Sequence, residues 1–572
     1  MKNNYPDVKM SDVDGSNPEV LKKLDSMFDA CKEARKPQIG QWRRNEELVN
    51  GEILKPFNMP KYKSKIQPGI PGSIVETMYS ILSENPHRVN LMPKRADQVE
   101  SAMKAQDVID YYLSEKKAHR AINMAKRDML VYGNGFIKLA IIDGEVEFIN
   151  VSPFQVLVDP LATNMDDIQS LVFCSPTYVD DVKARYGKKV EPEGVLDEYQ
   201  SFIKDDKRFA SDRFRASDLT EKSPSKKEMK TDYRGGMCLL KEAFYYDDGK
   251  LMLATWVDKT VLQEPTESPY PFMPLVTFIN YQNGQSIWGR GEPQSIESEC
   301  VGASIILSQA VDSVILTGNS PMVMSKSLAK TQGNVPTDRP GQIIWLNNSS
   351  EMVQRIPPGN MSSSALPMAE YLLQMAETVS SVDKVSRGHQ PGGVTAGKAI
   401  EALQSASVTI IRAKEREIGS DAVIDLYKMT LYMLANNYSK TISIRKEASD
   451  GAGYEFVEVQ PYDLDPDLSF KYVVGSAMPE SRASRMDQAI DLLQLGLLDE
   501  KSFWKWTQQD QTKERLDSIA QEEAMQEQQM AQEMDIIQNS ENEDEIMDAL
   551  LRQRELSGIG QQTDQLQEGV NK

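Results

Sequence analysis

The fold is decided by two segments, SIESECVGASIILSQAVDSVILT (residues 295–317) and SSALPMAEYLLQMAETVSSVDK (residues 363–384). In both, apolar residues recur in steps of three and four, which is typical of a helix with one narrow apolar face. The apolar positions are Ile296, Cys300, Ala303, Leu307, Ala310 and Val314 in the first segment, and Ala365, Met368, Leu372, Met375, Val379 and Val382 in the second. The sequence therefore predicts two helices, each with a narrow apolar seam.

A compact β-rich insert is predicted between these helices. Its strands are expected near residues 322–325, 342–346 and 352–356. The insert is bounded by residues 319–321 and by Pro357-Pro358-Gly359, because proline and glycine favour turns. The chain is thus expected to leave one helix, form a small β unit and return along the other.

A loop, SRGHQPGGVTAG (residues 386–397), follows the second helix and precedes a very long third helix over about residues 398–438. The charged cluster RAKERE, residues 412–417, interrupts the apolar pattern of this third helix. A bend or an exposed turn is predicted there.

The first 290 residues predict a mixture of α and β elements. Helices are expected over residues 18–49, 74–83 and 96–130, and a hairpin is expected at Asp143-Gly144, between the runs FIKLAII and VEFINV. Further predictions are strands over residues 151–160, 237–246 and 251–257, a polar loop over residues 204–230, strands near residues 441–445, 454–459 and 470–474, and a helical end from residue 486. A chain of 572 residues with this pattern indicates an α+β protein of several packed units.

The net charge of −20 is unevenly distributed. Residues 510–572 contain 16 acidic and 5 basic residues, so over half of the excess lies in the last ninth of the chain. The rest is only mildly acidic and has no dominant basic face of the kind that strong nucleic-acid binders carry. We expect the chain either not to contact nucleic acid or to contact it without binding it tightly.

The residues that could carry catalysis or bind metal are sparse. Four cysteines (Cys31, Cys174, Cys238 and Cys300) form no CxxC pair, and there are only three histidines, so buried reduced thiols and no metal, cofactor or catalytic site are predicted. The segment GGVTAGK, residues 392–398, fits the phosphate-binding pattern G-x-x-x-x-G-K, but Ala399 stands where a Mg²⁺-binding Ser or Thr is needed. The longest apolar run, around residues 303–316, is interrupted by Gln309 and Asp312, and no membrane span is expected because a span needs roughly 18 apolar residues.

Several segments resemble the portal proteins of tailed bacteriophages, over about residues 20–510. They are RDMLVYGNGFIKLA (residues 127–140), NVSPFQVLVDP (150–160), YPFMPLVTF (270–278) and SIWGRGEPQSIESE (286–299), and the order of elements described above agrees with them. The resemblance implies an α+β, multi-domain portal fold with a mixed α/β wing, a helical stem, a small β-rich clip and an α-helical C-terminal crown.

The same resemblance implies a division of the chain. The wing would be residues 1–290, the first stem helix 291–318, the clip 319–360, the second stem helix 361–385, the tunnel loop 386–397, the long helix and return to the wing 398–478, and the crown with its acidic tail 479–572. It also implies two sets of site residues. The DNA-channel or tunnel-loop set would be Ser386, Arg387, His389, Gln390, Gly392, Gly393, Thr395 and Lys398. The clip set, which would contact the motor or adaptor, would be Met322, Lys326, Lys330, Arg339, Trp345 and Arg355.

A portal protein would be a non-enzymatic virion protein at one capsid vertex, assembled in the cytoplasm of the host bacterium. The implied partners are further copies of the chain in a ring of about twelve subunits, duplex DNA passing through without sequence specificity, the packaging terminase, the major capsid and scaffolding proteins, and a tail or head-completion adaptor. No membrane partner is implied. Two alternatives remain: another structural or scaffold virion protein, suggested by the acidic, Gln-rich tail, and a P-loop-like ATPase at residues 392–398.

Overall fold

The computed structural model describes residues 18–60, 63–142, 144–192, 236–318, 322–323, 354–355, 363–382, 409–438, 441–447, 454–473 and 490. The chain divides into two compact units, each described here by itself. The first unit comprises residues 1–440 and 461–478, and the second comprises residues 441–460 and 479–572. The fold is a mixture of α-helices and several small antiparallel sheets, as the sequence predicts.

The first unit begins with four helices: α1 (Pro18–Val49), α2 (Ile70–Ser83), α3 (Val99–Glu115) and α4 (Ala118–Tyr132). The prediction of a single helix over residues 96–130 is wrong, because the chain breaks between α3 and α4. Lys117 adopts a left-handed conformation with φ of 53°, which a continuing helix does not allow. The side chain of its neighbour Lys116 leaves the helix axis to pair with Glu145 and Glu147 on an adjacent hairpin.

Two antiparallel sheets pack beside these helices. The smaller has the order β3-β2-β9, formed by β2 (Asn134–Ile142), β3 (Glu145–Val151) and β9 (Leu275–Ile279), and the predicted β2–β3 hairpin is confirmed. The larger has the order β4-β5-β6-β7-β8, formed by β4 (Val156–Val158), β5 (Ser170–Tyr178), β6 (Met237–Asp247), β7 (Lys250–Val257) and β8 (Thr260–Glu267). Asp248 and Gly249 turn β6 into β7 with φ of 49° and 77°, which is the left-handed pair that a tight hairpin favours. Of the predicted strand 151–160, only Val156–Val158 forms a separate strand, β4. Val151 is the last residue of β3, and Pro153–Gln155 forms a 3-10 turn.

Shorter elements complete this part of the first unit. They are β1 (Val89–Met92), which pairs with β16 (Ser469–Tyr472), the hairpin β10 (Tyr281–Asn283) with β11 (Ser286–Arg290), and helix α5 (Val179–Tyr186). Trp42 lies at the centre of an aromatic cluster, with its ring centroid 5.2 Å from both Phe154 and Trp288 in edge-to-face geometry. All four cysteines are buried, reduced thiols, as the sequence predicts.

A glycine junction, formed by Gly133, Gly135, Gly289 and Gly291, joins the end of α4 to β11. A Cβ atom on Gly133 would lie 2.2 Å from the carbonyl oxygen of Gly289, and one on Gly291 would lie 2.2 Å from that of Val131. No side chain fits at these distances, so backbone packs directly against backbone. The side chain of Asn134 bridges the two segments, since its Nδ2 donates to the oxygen of Ile287 (3.0 Å) and its Oδ1 accepts from the N–H of Gly289 (2.7 Å).

The remaining helices of the first unit follow the junction. They are the short α6 (Glu292–Ser295), α7 (Glu297–Gly318), α8 (Ala365–Ser380), α9 (Thr409–Ile418) and α10 (Ile424–Asn437), with strands β12 (Met322–Val323) and β13 (Gln354–Arg355) between α7 and α8. Both seamed helices predicted from the sequence are therefore present. A π-helical turn, Gly419–Val423, connects α9 to α10.

The prediction of a bend or exposed turn at RAKERE is wrong in both respects. The cluster lies within the regular helix α9, and the irregular turn begins two residues after it, at Gly419. Lys414 and Glu415, in the middle of the cluster, are buried because they bind partners inside the first unit. In the second unit, β14 (Ile442–Glu447) and β15 (Tyr454–Val459) form the antiparallel hairpin that the sequence predicts.

Candidate functional site

Helices α7 and α8 pack along each other through small residues. The buried positions of α8 include Ala369, Ala376 and Ser380, and α7 contributes Ala303. A methyl group added to Gly302 of α7 would lie 3.1 Å from Cδ1 of Leu372, so the two helices meet closely at that point. The helix pair predicted from the sequence is therefore a real packing unit within one copy of the chain.

The face that α8 buries differs from the predicted one. Of the predicted apolar positions, Met368, Met375 and Val379 are exposed, whereas Ala369 and Ala376 are buried. The small alanine side chains suit a closely packed face, and the longer side chains of Met368, Met375 and Val379 lie on the adjacent side of the helix. Helix α8 therefore has two stripes where the sequence predicted one seam: a narrow buried stripe and, beside it, an exposed one.

The exposed stripe of α8 consists of Met368, Tyr371, Met375 and Val379, which recur in steps of three and four and so lie on one side of the helix. Tyr371 is 58% exposed and Met368 is 52% exposed. A third side of α8 carries Glu370, Gln374 and Thr378, all exposed and spaced by four. Contiguous exposed apolar surface of this kind marks a binding surface, because a solvated protein surface rarely keeps it.

Helix α7 is also apolar on its exposed side near its end, where Val314 is 72% exposed. By length and composition alone, the window Glu297–Ile315 could cross a membrane, with a mean hydropathy of 1.2, although the sequence prediction was that no segment could. This helix nevertheless presents bonded polar groups along its length. Ser304 and Ser308 donate to its own backbone, and Ser308 and Asp312 bind another part of the chain. A helix packed against protein accounts for both the polar and the apolar positions.

A basic strap, residues 63–66, lies against α7. The backbone N–H of Ile66 donates to Oγ of Ser308 (2.9 Å), and that of Ser64 donates to Oδ1 of Asp312 (2.9 Å). Nζ of Lys63 lies 3.4 Å from the other oxygen of Asp312. The bond from the Ser64 N–H is the largest of several effects that lower the pKa of Asp312, so this carboxylate stays charged. The strap fixes the outer half of α7 to the segment that leads into α2.

The predicted clip residues are only partly described. Strands β12 and β13 pair antiparallel, and Met322 lies directly opposite Arg355 in that register. Two members of the predicted set are therefore brought together at the end of the α7–α8 pair. The other four, Lys326, Lys330, Arg339 and Trp345, lie outside the described residues, and so do all eight tunnel-loop residues from Ser386 to Lys398.

The side chain of Lys414 enters a buried polar site between α9 and the glycine junction. Its Nζ donates to Oε1 of Glu292 and to Oδ1 of Asn280 (2.6 Å), and it lies 3.9 Å from the ring centroid of Tyr281. Burial lowers the pKa of this amine while the charge of Glu292 raises it. Nδ2 of Asn280 also donates to the carbonyl oxygen of Arg290 (3.0 Å). The site therefore connects α9 to the segment that leads into α7.

Glu415 enters a second buried site, on a neighbouring side of α9. Its Oε1 accepts from the hydroxyl of Tyr472 on β16, which also lies 2.8 Å from Nδ1 of His87. Lys126 of α4 is close enough for the charge of Glu415 to raise its pKa, although burial dominates and lowers that pKa to about 7. Burial likewise holds the pKa of His87 well below its usual value. Among the described residues, neither Nε2 of His87 nor Oε2 of Glu415 has a hydrogen-bond partner.

The sequence analysis missed both buried sites, because it interpreted RAKERE as solvated. A signal was available: Ile411, Lys414, Glu415 and Ile418 follow the i, i+3, i+4, i+7 spacing of a buried helix face. Two charges on such a face indicate buried partners of opposite sign. Within the described ranges, no group of three or more His, Cys, Asp or Glu residues could hold a metal ion.

A comparison with known protein families gives a match over most of the chain. No curated protein sequence matches the chain, but a model of the Phage P22-like portal protein family matches residues 72–557. That range contains the helix pair, the strands between them, both buried sites and the second-unit hairpin. The portal resemblance predicted from the sequence is confirmed, and so is the absence of enzymatic activity, because portal proteins are structural components of the virion. The chain belongs to the Phage P22-like portal protein family.

Proposed function

We propose that this chain forms a closed ring at one vertex of the capsid, through which duplex DNA enters during packaging and leaves during ejection. Family membership supports the role in general. The observation in this chain that carries it is the exposed apolar stripe of α8, which one copy leaves uncovered. In the proposal, further copies of the same chain cover this stripe.

The three sides of α8 suit a ring. One side packs on α7, the stripe Met368–Val379 is exposed and apolar, and the side with Glu370, Gln374 and Thr378 is exposed and polar. A ring needs a repeated head-to-tail interface that closes on itself. Helix pairs standing side by side would bury the apolar stripe against the neighbouring copy and leave the polar side towards water. The resemblance to portal proteins suggests about twelve copies.

The channel is proposed to be formed by the stem helices 291–318 and 361–385, the clip 319–360 and the tunnel loop 386–397. Duplex DNA carries one charge per roughly 1.7 Å, so a strongly basic wall would hold it rather than let it slide. Outside the acidic tail the chain is only mildly acidic and its sequence has no dominant basic face, which suits a conduit. Arg387, His389 and Lys398 are proposed as transient phosphate contacts, with Ser386, Gln390, Gly392, Gly393 and Thr395 completing the loop.

The remaining assignments follow the same family. The wing, residues 1–290 with the return through 398–478, is proposed to meet the major capsid and scaffolding proteins. The clip, with Met322 opposite Arg355, is proposed to contact the packaging terminase and later the tail or head-completion adaptor. The crown is proposed to comprise residues 479–572. The ring would then be placed at a capsid vertex after assembly in the bacterial cytoplasm.

Tyr371→Ser combined with Met375→Ser tests the ring. Both side chains are exposed in one copy, so the variant is expected to fold as a monomer but to form fewer rings in electron micrographs and by light scattering. The control is Glu370→Gln with Gln374→Ser, on the polar side of the same helix, which should assemble normally. If the stripe variant formed rings as readily as the wild-type protein, the proposed interface would be wrong.

Gly392→Pro combined with Gly393→Pro tests the conduit. Stiffening the loop is expected to reduce the amount of DNA packaged per capsid, while ring formation stays at the wild-type level. Packaging at the wild-type level would contradict the assignment of residues 386–397 to the channel, and loss of rings would show that these residues serve assembly instead.

A further inference from the structure

We infer that Lys414 and Glu415 form a register latch, which fixes the axial and rotational position of helix α9 on the first unit, and that the π turn Gly419–Val423 is where α9 changes register when the latch is broken. The inference concerns the helix alone and does not depend on ring formation. It rests on the two buried sites, on the charge order in the sequence and on the geometry of the turn.

The two latch residues are neighbours in sequence, yet they bind different parts of the unit. Lys414 contacts Glu292 and Asn280 near the base of α7, and Glu415 contacts Tyr472 on β16 near His87 and Lys126. One site thus presents a negative charge to α9, and the other presents a buried amine. Each accepts a side chain of one sign only, because an uncompensated buried charge is costly.

The π turn defines the alternative register. A π turn contains one more residue than the α-helical turn it replaces, so its conversion to α-helix would move α9 by one position relative to α10. That movement is a rotation of about 100° with a shift of about 1.5 Å. Each position on the first unit would then receive the residue that follows its present one.

The sequence Lys414-Glu415-Arg416 opposes that movement. After a shift by one residue, Glu415 would face Glu292 and Arg416 would enter the site beside Lys126 and His87. The first site would then hold two buried carboxylates, the second would hold a guanidinium beside the buried amine of Lys126, and the attractive pairs of the present register would be lost. The order of three charges therefore selects one register and penalises the neighbouring one at both sites.

The contacts around the turn keep the π geometry in place. A Cβ atom on Gly419 would lie 2.1 Å from Cζ of Tyr472, so the ring that binds Glu415 also packs on the first residue of the turn. Among the described residues, Nε2 of His87 and Oε2 of Glu415 remain without hydrogen-bond partners, which makes this site costly in stability. This site lowers the stability of the fold, yet it opposes the neighbouring register of α9. Its role is therefore to position the helix rather than to stabilise the fold.

The test compares two changes and their combination in the full chain. Lys414→Met with Glu415→Gln removes both charges, and deletion of Ser420, which is exposed in the π turn, removes the extra residue so that no alternative register remains. The readout is hydrogen–deuterium exchange of peptides that cover Thr409–Val423, measured by mass spectrometry.

The neutral variant is expected to give two isotope envelopes over these peptides, whereas wild type gives one. The same variant with Ser420 deleted is expected to return to one envelope. A single envelope in the neutral variant would overturn the inference, and so would two envelopes that persist after the deletion, since those would report local unfolding. If the double substitution prevents folding, Lys414→Gln with Glu415→Gln, which also removes both charges but keeps a hydrogen-bonding group at each position, is judged by the same two criteria.

Discussion

The glycine junction and the α8 stripe show opposite ways of using a helix surface. At the junction, Gly133 and Gly289 bring two backbone segments into direct contact, and the polar groups nearby find partners in the same chain. On α8, Tyr371 and Met375 are left exposed by the copy that carries them. The first region is therefore completed when the chain folds, whereas the second leaves an apolar surface exposed on the single copy. Four predictions break or sharpen that comparison.

The largest effect is expected from Gly289→Val. A Cβ atom there would lie 2.6 Å from the oxygen of Gly133 and 2.9 Å from Cγ2 of Ile279, and backbone cannot move aside without separating the two segments. A loss of more than about 4 kcal/mol in the free energy of unfolding is expected, enough to leave little soluble protein. The measurement is urea unfolding of the soluble fraction. Gly40→Ala in α1, where nothing lies within 4 Å, is the control and should be neutral or stabilising. A stable Gly289→Val protein would contradict the close packing.

Gly419→Ala is expected to have the second largest effect. The added methyl group would overlap the Tyr472 ring, which is held by Glu415 and His87 and so cannot rotate away freely. The free energy of unfolding should fall by about 1–3 kcal/mol, as overpacking usually costs. Calorimetry of the full chain measures this. If Gly419→Ala were as stable as wild type, the ring of Tyr472 would have to be mobile, and the second buried site would be looser than described.

The pH dependence of stability is expected to come partly from His87. Burial lowers its pKa in the folded state below the value of about 6.5 for the unfolded chain, so the unfolded chain binds more protons as the pH falls through that value. Stability should therefore decrease below about pH 6.5, by up to about 1.4 kcal/mol per pH unit from this group. His87→Gln should flatten the dependence between pH 7 and pH 5 in urea unfolding. His119, which is less buried, is the control, and an equal flattening by His119→Gln would remove the special role of His87.

The smallest effect on the single copy is expected from Met375→Ala. Its side chain is exposed, so the free energy of unfolding of the monomer should change by less than about 0.5 kcal/mol. Ring formation, measured by light scattering across a concentration series, should nevertheless shift to higher protein concentration. Ala376→Met, one residue further along and fully buried, should show the reverse: a destabilised monomer. Equal effects of both changes on the monomer would mean that the two stripes of α8 are not distinct.

The sequence predicted the order of elements well, because periodicity and turn residues are local signals. The two seamed helices, the β2–β3 and β6–β7 hairpins and the second-unit hairpin were all predicted. Three details were not, and each depends on partners far along the chain. Lys116 pairs with a hairpin some thirty residues later, which accompanies the break between α3 and α4. Lys414 and Glu415 are buried by distant residues.

The third detail is which side of α8 faces α7. Periodicity alone could not separate the two stripes, because both follow steps of three and four, and only side-chain volume distinguishes the alanines from the methionines. The predicted tunnel-loop residues and all the predicted clip residues remain predictions, and the strand register shows only that Met322 and Arg355 lie opposite each other.

The glycine junction also determines how helix α7 can move. Helix α7 begins six residues after Gly291, Arg44 of α1 pairs with Glu297 in its first turn (2.5 Å), and the strap binds Asp312 about four turns further on. A helix that is bound at its first turn and again near its last turn cannot swing about either of these points. Any widening or narrowing of a passage lined by such helices would have to come from elastic bowing between the two fastenings, or from sliding of whole neighbours past one another.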